Sequence, residues 1–279
     1  MIPPIASRFV AGETAAAALD HARRTNEEGV KVILNLLGEH YDERAPADAD
    51  TAAYERLIAD IDGSGLDACV SVKPSQIGID VSDAAFRENY HRIAGAGADH
   101  DVFVWCDMED ADTTDVTLDV FEEVAREYDG DVGQCVQANL KRTEEDLERL
   151  ADVPGKIRLV KGAYDEDPDI SYKQKSRVNE KYEEYLEFLF EEYVGGIAVG
   201  SHDPKMIAAA EELAAEYDRA FEVQMLMGVR EDAQRELAAE GREVWQYAPY
   251  GDKWMSYFYR RVRERKENLL FALRAVAGV

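Results

Sequence analysis

Short apolar runs alternate with amphipathic stretches eight times along the chain. The runs are Val32 to Leu36, Ala68 to Val72, Val102 to Cys106, Gly133 to Gln137, Ile157 to Lys161, Gly196 to Gly200, Phe221 to Met225 and Val244 to Tyr247. They are short, rich in β-branched or aromatic residues and followed by polar or turn-forming sequence, which is the signature of buried parallel strands. Between them, apolar residues recur at three- and four-residue spacing. That spacing predicts helices over Thr51 to Ile61, Asp83 to Ala94, Thr117 to Tyr128, Glu144 to Leu150, Val178 to Tyr193, Pro204 to Tyr217, Glu231 to Ala239 and Lys253 to Val276. Thr143 before an acidic turn reads as a helix cap, as does Asp203 before Pro204. Gly95-Ala96-Gly97-Ala98 reads as a helix terminus. Eight strands alternating with eight helices predict a (β/α)8 TIM barrel in a single domain. An open doubly wound sheet would carry a Gly-rich turn after its first strand, and no G-x-G-x-x-G occurs here.

Composition narrows the function classes. The chain has 279 residues and 46% hydrophobic content, enough for one large core. Its 58 acids against 32 bases give a formal net charge of −26, which argues against nucleic acid as a partner. The acids are dispersed rather than gathered in a tail, in runs such as Asp107-Met108-Glu109-Asp110, and arginine outnumbers lysine. Such a surface resembles that of salt-adapted proteins, in which high salt screens self-repulsion. No apolar run reaches the roughly 18 to 20 residues that span a bilayer. Residues 1–10 lack a basic region followed by a long apolar stretch, so no signal peptide is expected and a cytoplasmic location is the simplest reading. Cys69, Cys106 and Cys135 form neither a disulfide framework nor a spaced metal site, and no metal is expected.

Function in a barrel collects at the carboxyl ends of the strands. Those ends carry Lys73, Asp107, Gln137 followed by Asn139, Arg158 and Lys161 with Gly162-Ala163-Tyr164, Ser201-His202, Glu222 with Gln224, and Gln246 with Tyr247. Each has a plainer reading. Lys73 could end a strand in solvent, Arg158 and Lys161 could pair with the abundant acids, and His202 could cap the following helix. Ionic and amide groups within apolar strands are nonetheless costly to bury without partners, and five or more strands place them at one end. Convergence on a polar ligand follows. The last helix is cationic in an acidic protein. Tyr257, Arg260, Arg261 and Glu264 lie at helical spacing, and adjacent arginines suit a carboxylate.

These segments resemble the proline dehydrogenase family. The resemblance rests on Ser71-Val72-Lys73-Pro74-Ser75, Gln137-Ala138-Asn139-Leu140-Lys141-Arg142-Thr143, Arg158-Leu159-Val160-Lys161-Gly162-Ala163-Tyr164, Phe221 through Gly228, Tyr247-Ala248-Pro249-Tyr250-Gly251, Leu37-Gly38-Glu39, and the Y-x-x-R-R-x-x-E pattern from Tyr257 to Glu264. The motifs fall in family order from about residue 30 to 268. Two departures stand out: Ser201 where threonine is frequent, and Arg265 after Glu264 where asparagine is frequent.

The resemblance implies a distorted (β/α)8 barrel over 1–279, with an N-terminal helical extension over 1–30 and the substrate arginines on the last helix, 253–276. It implies non-covalent FAD and oxidation of L-proline to Δ1-pyrroline-5-carboxylate. Electrons would go to a quinone through peripheral contact with the inner membrane face, and the product to a separate dehydrogenase. Arg158, Asp107 and Lys73 would be catalytic. Lys73, Tyr164, Leu226, Tyr247, Tyr257, Arg260 and Arg261 would bind the substrate, and Asp107 would pair with an arginine of the last helix. Gln137, Arg158, Lys161, Gly162, Ala163, Ser201, His202, Gln224 and Glu264 would bind FAD. Lys173, Lys175 or Arg177 would meet its pyrophosphate. Rivals to this reading are a related flavin barrel acting on hydroxyproline or another cyclic imino acid, a barrel that has lost catalysis and binds an amino acid or flavin as a sensor or partner, and a non-flavin aldolase-type barrel using Lys161 as Schiff base.

Overall fold

The computed structural model describes residues 6–255. Eight parallel strands close into a barrel in sequence order: β1 (Lys31–Leu36), β2 (Ala68–Val72), β3 (Val104–Cys106), β4 (Val132–Gln137), β5 (Lys156–Val160), β6 (Gly196–Gly200), β7 (Glu222–Leu226) and β8 (Glu243–Tyr250), with β8 pairing back onto β1. Helix α1 (Ala15–Glu27) precedes β1. The seven connecting helices are α2 (Arg44–Ser64), α3 (Asp83–His100), α4 (Thr114–Glu127), α5 (Thr143–Leu150), α6 (Lys175–Glu191), α7 (Pro204–Tyr217) and α8 (Glu231–Ala239). Most of the expected last helix, with Tyr257, Arg260, Arg261 and Glu264, lies outside the described residues. No described helix is long and apolar enough to cross a membrane.

Strand periodicity sorts the side chains. Val70, Val104, Val136, Leu159 and Val199 join the main core cluster between sheet and helices. Their neighbours point into the barrel, where Ile33, Cys69, Trp105 and Ala198 pack together. On β6 the inward residues are Gly196, Ala198 and Gly200, so little side chain stands between β5 and β7. The three cysteines are free and buried, and burial pushes each thiol up, which keeps them inert.

Several boundaries differ from the sequence reading, each for a local reason. Helix α2 begins at Arg44, two turns early, because Pro46 falls in its first turn, where its missing N–H costs nothing. Helix α3 runs through Gly95 and Gly97 to His100. A Cβ on Gly97 would lie 2.7 Å from the Val102 carbonyl oxygen and 2.7 Å from Val104 Cγ2. That glycine allows close helix–strand approach and does not stop the helix. Thr143 is the first residue of α5 and not its cap; its hydroxyl donates to the Gln137 carbonyl at 2.6 Å, tying the helix start to the end of β4. Asp203 does cap α7, accepting from Lys205 N at 3.1 Å.

Gln246 points outward and away from the mouth. Its Oε1 lies 2.7 Å from His21 Nε2 on α1, and its amide donates to Gln234 on α8 at 2.9 Å. Burial lowers the His21 pKa, against the Gln246 hydrogen bond. A histidine with its folded value depressed stabilises the neutral fold above its ordinary pKa, and that contribution is lost as pH falls below about 6.5. Hydrogen exchange at α1 amides should therefore accelerate, relative to the rest of the barrel, between pH 7 and pH 5. Replacing His21 by Gln should flatten that difference.

Candidate active site

The carboxyl end of the barrel gathers one connected set of buried polar groups. Arg158, in the middle of β5, is 4% exposed. Its Nη2 donates to Asp107 Oδ1 just past β3, and its Nη1 donates to Gln224 Oε1 on β7 at 3.1 Å. The guanidinium lies over the Trp105 ring, 4.9 Å from its centroid, and 5.7 Å from that of Tyr247. Asp107 also accepts from the Ser71 hydroxyl at 2.8 Å and from the Tyr247 hydroxyl at 2.7 Å. Strands β2, β3, β5, β7 and β8 thus meet on one guanidinium–carboxylate pair. Burial pushes the Asp107 carboxyl up, but Arg158, then Lys73 and the two hydroxyls, hold it below the usual carboxylate range. Among the described residues, Asp107 forms its ion pair with Arg158; the last-helix arginines expected to pair with it lie outside them.

A second cluster stands beside it. Lys73, 9% exposed, lies 3.7 Å from Glu109 and 3.9 Å from Glu39. Burial works against its charge, yet Tyr164, Glu109, Asp107 and Glu39 together keep it firmly protonated. Glu109 is 2% exposed; it accepts from Ser75 N at 2.7 Å and from the Tyr164 hydroxyl at 3.4 Å. The Gln137 amide donates to the Glu109 carbonyl at 2.9 Å. Glu109 was hidden in the sequence because it sits in an acidic run of an acidic protein. Ser71 and Trp105 were hidden too: a small hydroxyl residue and a core aromatic carry no signal until their neighbours are known.

The remaining predicted residues lie along the β5–β7 side. Lys161 donates to Asp203 at 2.8 Å and to Asn179 at 2.7 Å. The Asp203 carboxyl is lowered, chiefly by that Lys161 hydrogen bond, with Lys175 adding to the effect. Ser201 is buried and its hydroxyl accepts from Asp203 N at 3.1 Å. His202 Nε2 accepts from Leu226 N at 3.3 Å at the end of β7. Lys173 pairs with Asp165 and Arg177 with Glu180. Lys141 holds the carbonyls of Pro168 and Asp169, and Arg142 grips Asp115 and Asp146 on the outer surface.

Gly162 has φ +99°, and a Cβ there would come within 1.9 Å of Asn139 Oδ1. Among the described residues, Asn139 Oδ1 is itself buried with no hydrogen-bond partner. Asn139 thus fills the space that a Cβ on the half-buried Gly162 would need, and its buried acceptor marks a cradle for a polar ligand where β4 and β5 end. Gly162, Ala163 and Lys161 stand at its edge, and Arg158 with Gln137 closes the inner end.

Such a layout is that of an α/β-barrel enzyme with its buried polar groups gathered at the carboxyl mouth. Comparison with known proteins narrows the class. The family model for proline dehydrogenase matches residues 18–274. Proline dehydrogenase 1 of Bacillus subtilis is 33% identical over 276 residues, covering 97% of this chain and 90% of that protein. The proline dehydrogenase of Deinococcus radiodurans is 33% identical over 281 residues, covering 98% and 90%. The chain therefore belongs to the proline dehydrogenase family. Among solved structures, proline utilization A (PutA) of Bdellovibrio bacteriovorus superposes with a TM-score of 0.86 at 23% identity over 94% of this chain, which shows the shared barrel. This chain spans 33% of that one.

Proposed function

We propose that this protein oxidises L-proline to Δ1-pyrroline-5-carboxylate with FAD as its cofactor and passes the electrons to a quinone. The observation that carries the reading is the buried Lys73, poised between two carboxylates and making no close hydrogen bond to either, beside the Arg158–Asp107 pair. A lysine kept charged and held beyond hydrogen-bond distance of both carboxylates can donate to a substrate carboxylate. The residues present fit FAD: among the described residues Asn139 Oδ1 is a buried acceptor without a partner, and Arg158, Gln137 and Gln224 add buried polar groups at the carboxyl end.

FAD, when bound, supplies the acceptor for the hydride leaving the carbon beside the proline nitrogen. The protein's part is positioning. Lys73, with Arg260 and Arg261, binds the proline carboxylate. Tyr164, Leu226, Tyr247 and Tyr257 bound the ring, and Tyr247 is held by its bond to Asp107. Arg158 presents positive charge to the isoalloxazine, where negative charge accumulates on reduction. Ser201, His202, Lys161 and Glu264 serve the remainder of the cofactor. Because Lys173 pairs with Asp165 and Arg177 with Glu180, we assign the pyrophosphate contact to Lys175. Tyr247, held beside Asp107, favours plain proline over hydroxyproline.

L-Proline-dependent reduction of an artificial dye acceptor after reconstitution with FAD tests this reading. Dye reduction that needs both proline and FAD is expected; reduction with neither, or none at all, contradicts it.

The same proposal extends to setting. The dispersed acidic surface, with 58 acids, suits molar salt, cytoplasmic location and only local peripheral contact with an anionic membrane. Dialysis from molar to about 0.1 M salt, where charges interact over roughly 10 Å, should unfold the protein or release FAD. Circular dichroism and flavin fluorescence would follow both. Unchanged signals would remove the salt-adapted reading.

A further inference from the structure

The barrel interior holds a second ion pair, at the closed end opposite the mouth. It is formed by Lys156 and Glu222, the first residues of β5 and β7. Glu222 is 3% exposed, and Lys156 Nζ lies 2.5 Å from its Oε2. The pair spans β6 because Gly196 and Ala198 put almost nothing in between. Glu222 Oε1 accepts from Gln224 Nε2 at 2.6 Å, and Gln224 Oε1 accepts from Arg158 Nη1 at 3.1 Å. Hydrogen bonds therefore run without a break from the closed end to the Arg158–Asp107 pair.

The chemistry of the links gives this chain a direction. A carboxylate only accepts and a guanidinium only donates. Gln224 lies between them, so its amide has one satisfying orientation, NH2 toward Glu222 and oxygen toward Arg158. Turned over, it would set NH2 against guanidinium and oxygen against carboxylate. A buried ion pair is weak evidence for stability, because desolvation offsets its attraction. What Glu222 does supply is the other half of that orientation: one oxygen takes Lys156 and the other takes the Gln224 NH2, an arrangement that a residue with a single acceptor oxygen cannot reproduce.

We propose that Glu222, anchored by Lys156, is a positioning residue for the reaction: it fixes the Gln224 amide and thereby holds Arg158 toward the mouth. This rests on the reading that Arg158 faces the isoalloxazine of bound FAD.

The test is Glu222→Gln, which keeps the shape and removes the acceptor-only character. The expected result is a kcat lower by roughly tenfold, about 1.4 kcal/mol, with KM for proline within twofold. The midpoint potential of bound FAD should shift to more negative values, because a less firmly held cation stabilises the reduced ring less. Glu222→Gln combined with Gln224→Leu should lose no more than Gln224→Leu alone, since one residue acts through the other. In flavin-free protein, the Gln224 side-chain amide resonances should broaden or double in Glu222→Gln. Unchanged kcat and potential, or fully additive losses in the double variant, would overturn the proposal. If Glu222→Gln does not fold, Lys156→Gln, at the partly exposed floor, is read in the same way. Wild-type protein that does not oxidise proline would count against the proposed reaction. The amide resonances of the flavin-free protein would still decide whether Glu222 orients Gln224.

Discussion

Arg158→Met should abolish most activity and unsettle the fold. Arg158 is the point at which five strands meet through Asp107, Gln224, Ser71, Tyr247 and Trp105. Its removal leaves Asp107 buried with hydroxyl donors and a more distant lysine. Breaking a buried pair from one side typically costs about 3–5 kcal/mol. The site would also lose the cation that meets developing charge on the reacting ligand, a kind of loss worth roughly a hundred- to a thousandfold in kcat. Urea unfolding and steady-state turnover measure the two effects. The pair also sets an acid limit. The Asp107 carboxyl is depressed in the fold, so its contribution is complete above the unfolded value near pH 4 and is lost as pH falls through the folded one. Arg158→Met should show a shallower loss of stability in that acid range than wild type. A variant retaining near-normal turnover would mean that Arg158 is a structural strut only.

Lys73→Met should separate binding from chemistry. The ammonium is buried between Glu109 and Glu39 and is held charged by them with Tyr164 and Asp107. If it receives the substrate carboxylate, its loss removes a charge-assisted contact worth about 1.5–3 kcal/mol. KM for proline should rise roughly ten- to a hundredfold, with FAD still bound, because the cradle at Gly162 and Asn139 follows β4 and β5 and not β2. Glu109 keeps its bond from Ser75 N, so the loop after β2 stays anchored. An unchanged KM would place the carboxylate elsewhere.

The barrel was legible because its strands are short apolar runs and its helices are amphipathic, so period alone separates them. The β6 run Gly196 to Gly200 and the α7 stretch Pro204 to Tyr217 were readable to the residue. Boundaries blurred where local composition misled. The polar, proline-containing start of α2 hid two turns, and Gly97 looked like a stop when it marks close packing against β3. The site was legible as a set of strand-end residues, and Lys73, Asp107, Arg158 and Tyr247 do converge. Its internal wiring was not. Which of two adjacent side chains faces inward depends on register, so Gln246 looked equivalent to Tyr247 although it serves α1. Glu222 looked like a residue of the mouth although it lies at the opposite end, against Lys156. A buried acid cannot be told from dozens on the surface when the chain carries 58, which concealed Glu109.

The most direct measurement is an anaerobic absorbance spectrum of the purified protein in molar salt, before and after L-proline. Flavin bands near about 450 nm that bleach on adding proline, and return with a quinone, are the predicted result. Flavin bands that proline leaves unchanged, or no flavin bound even after FAD is supplied, would contradict it.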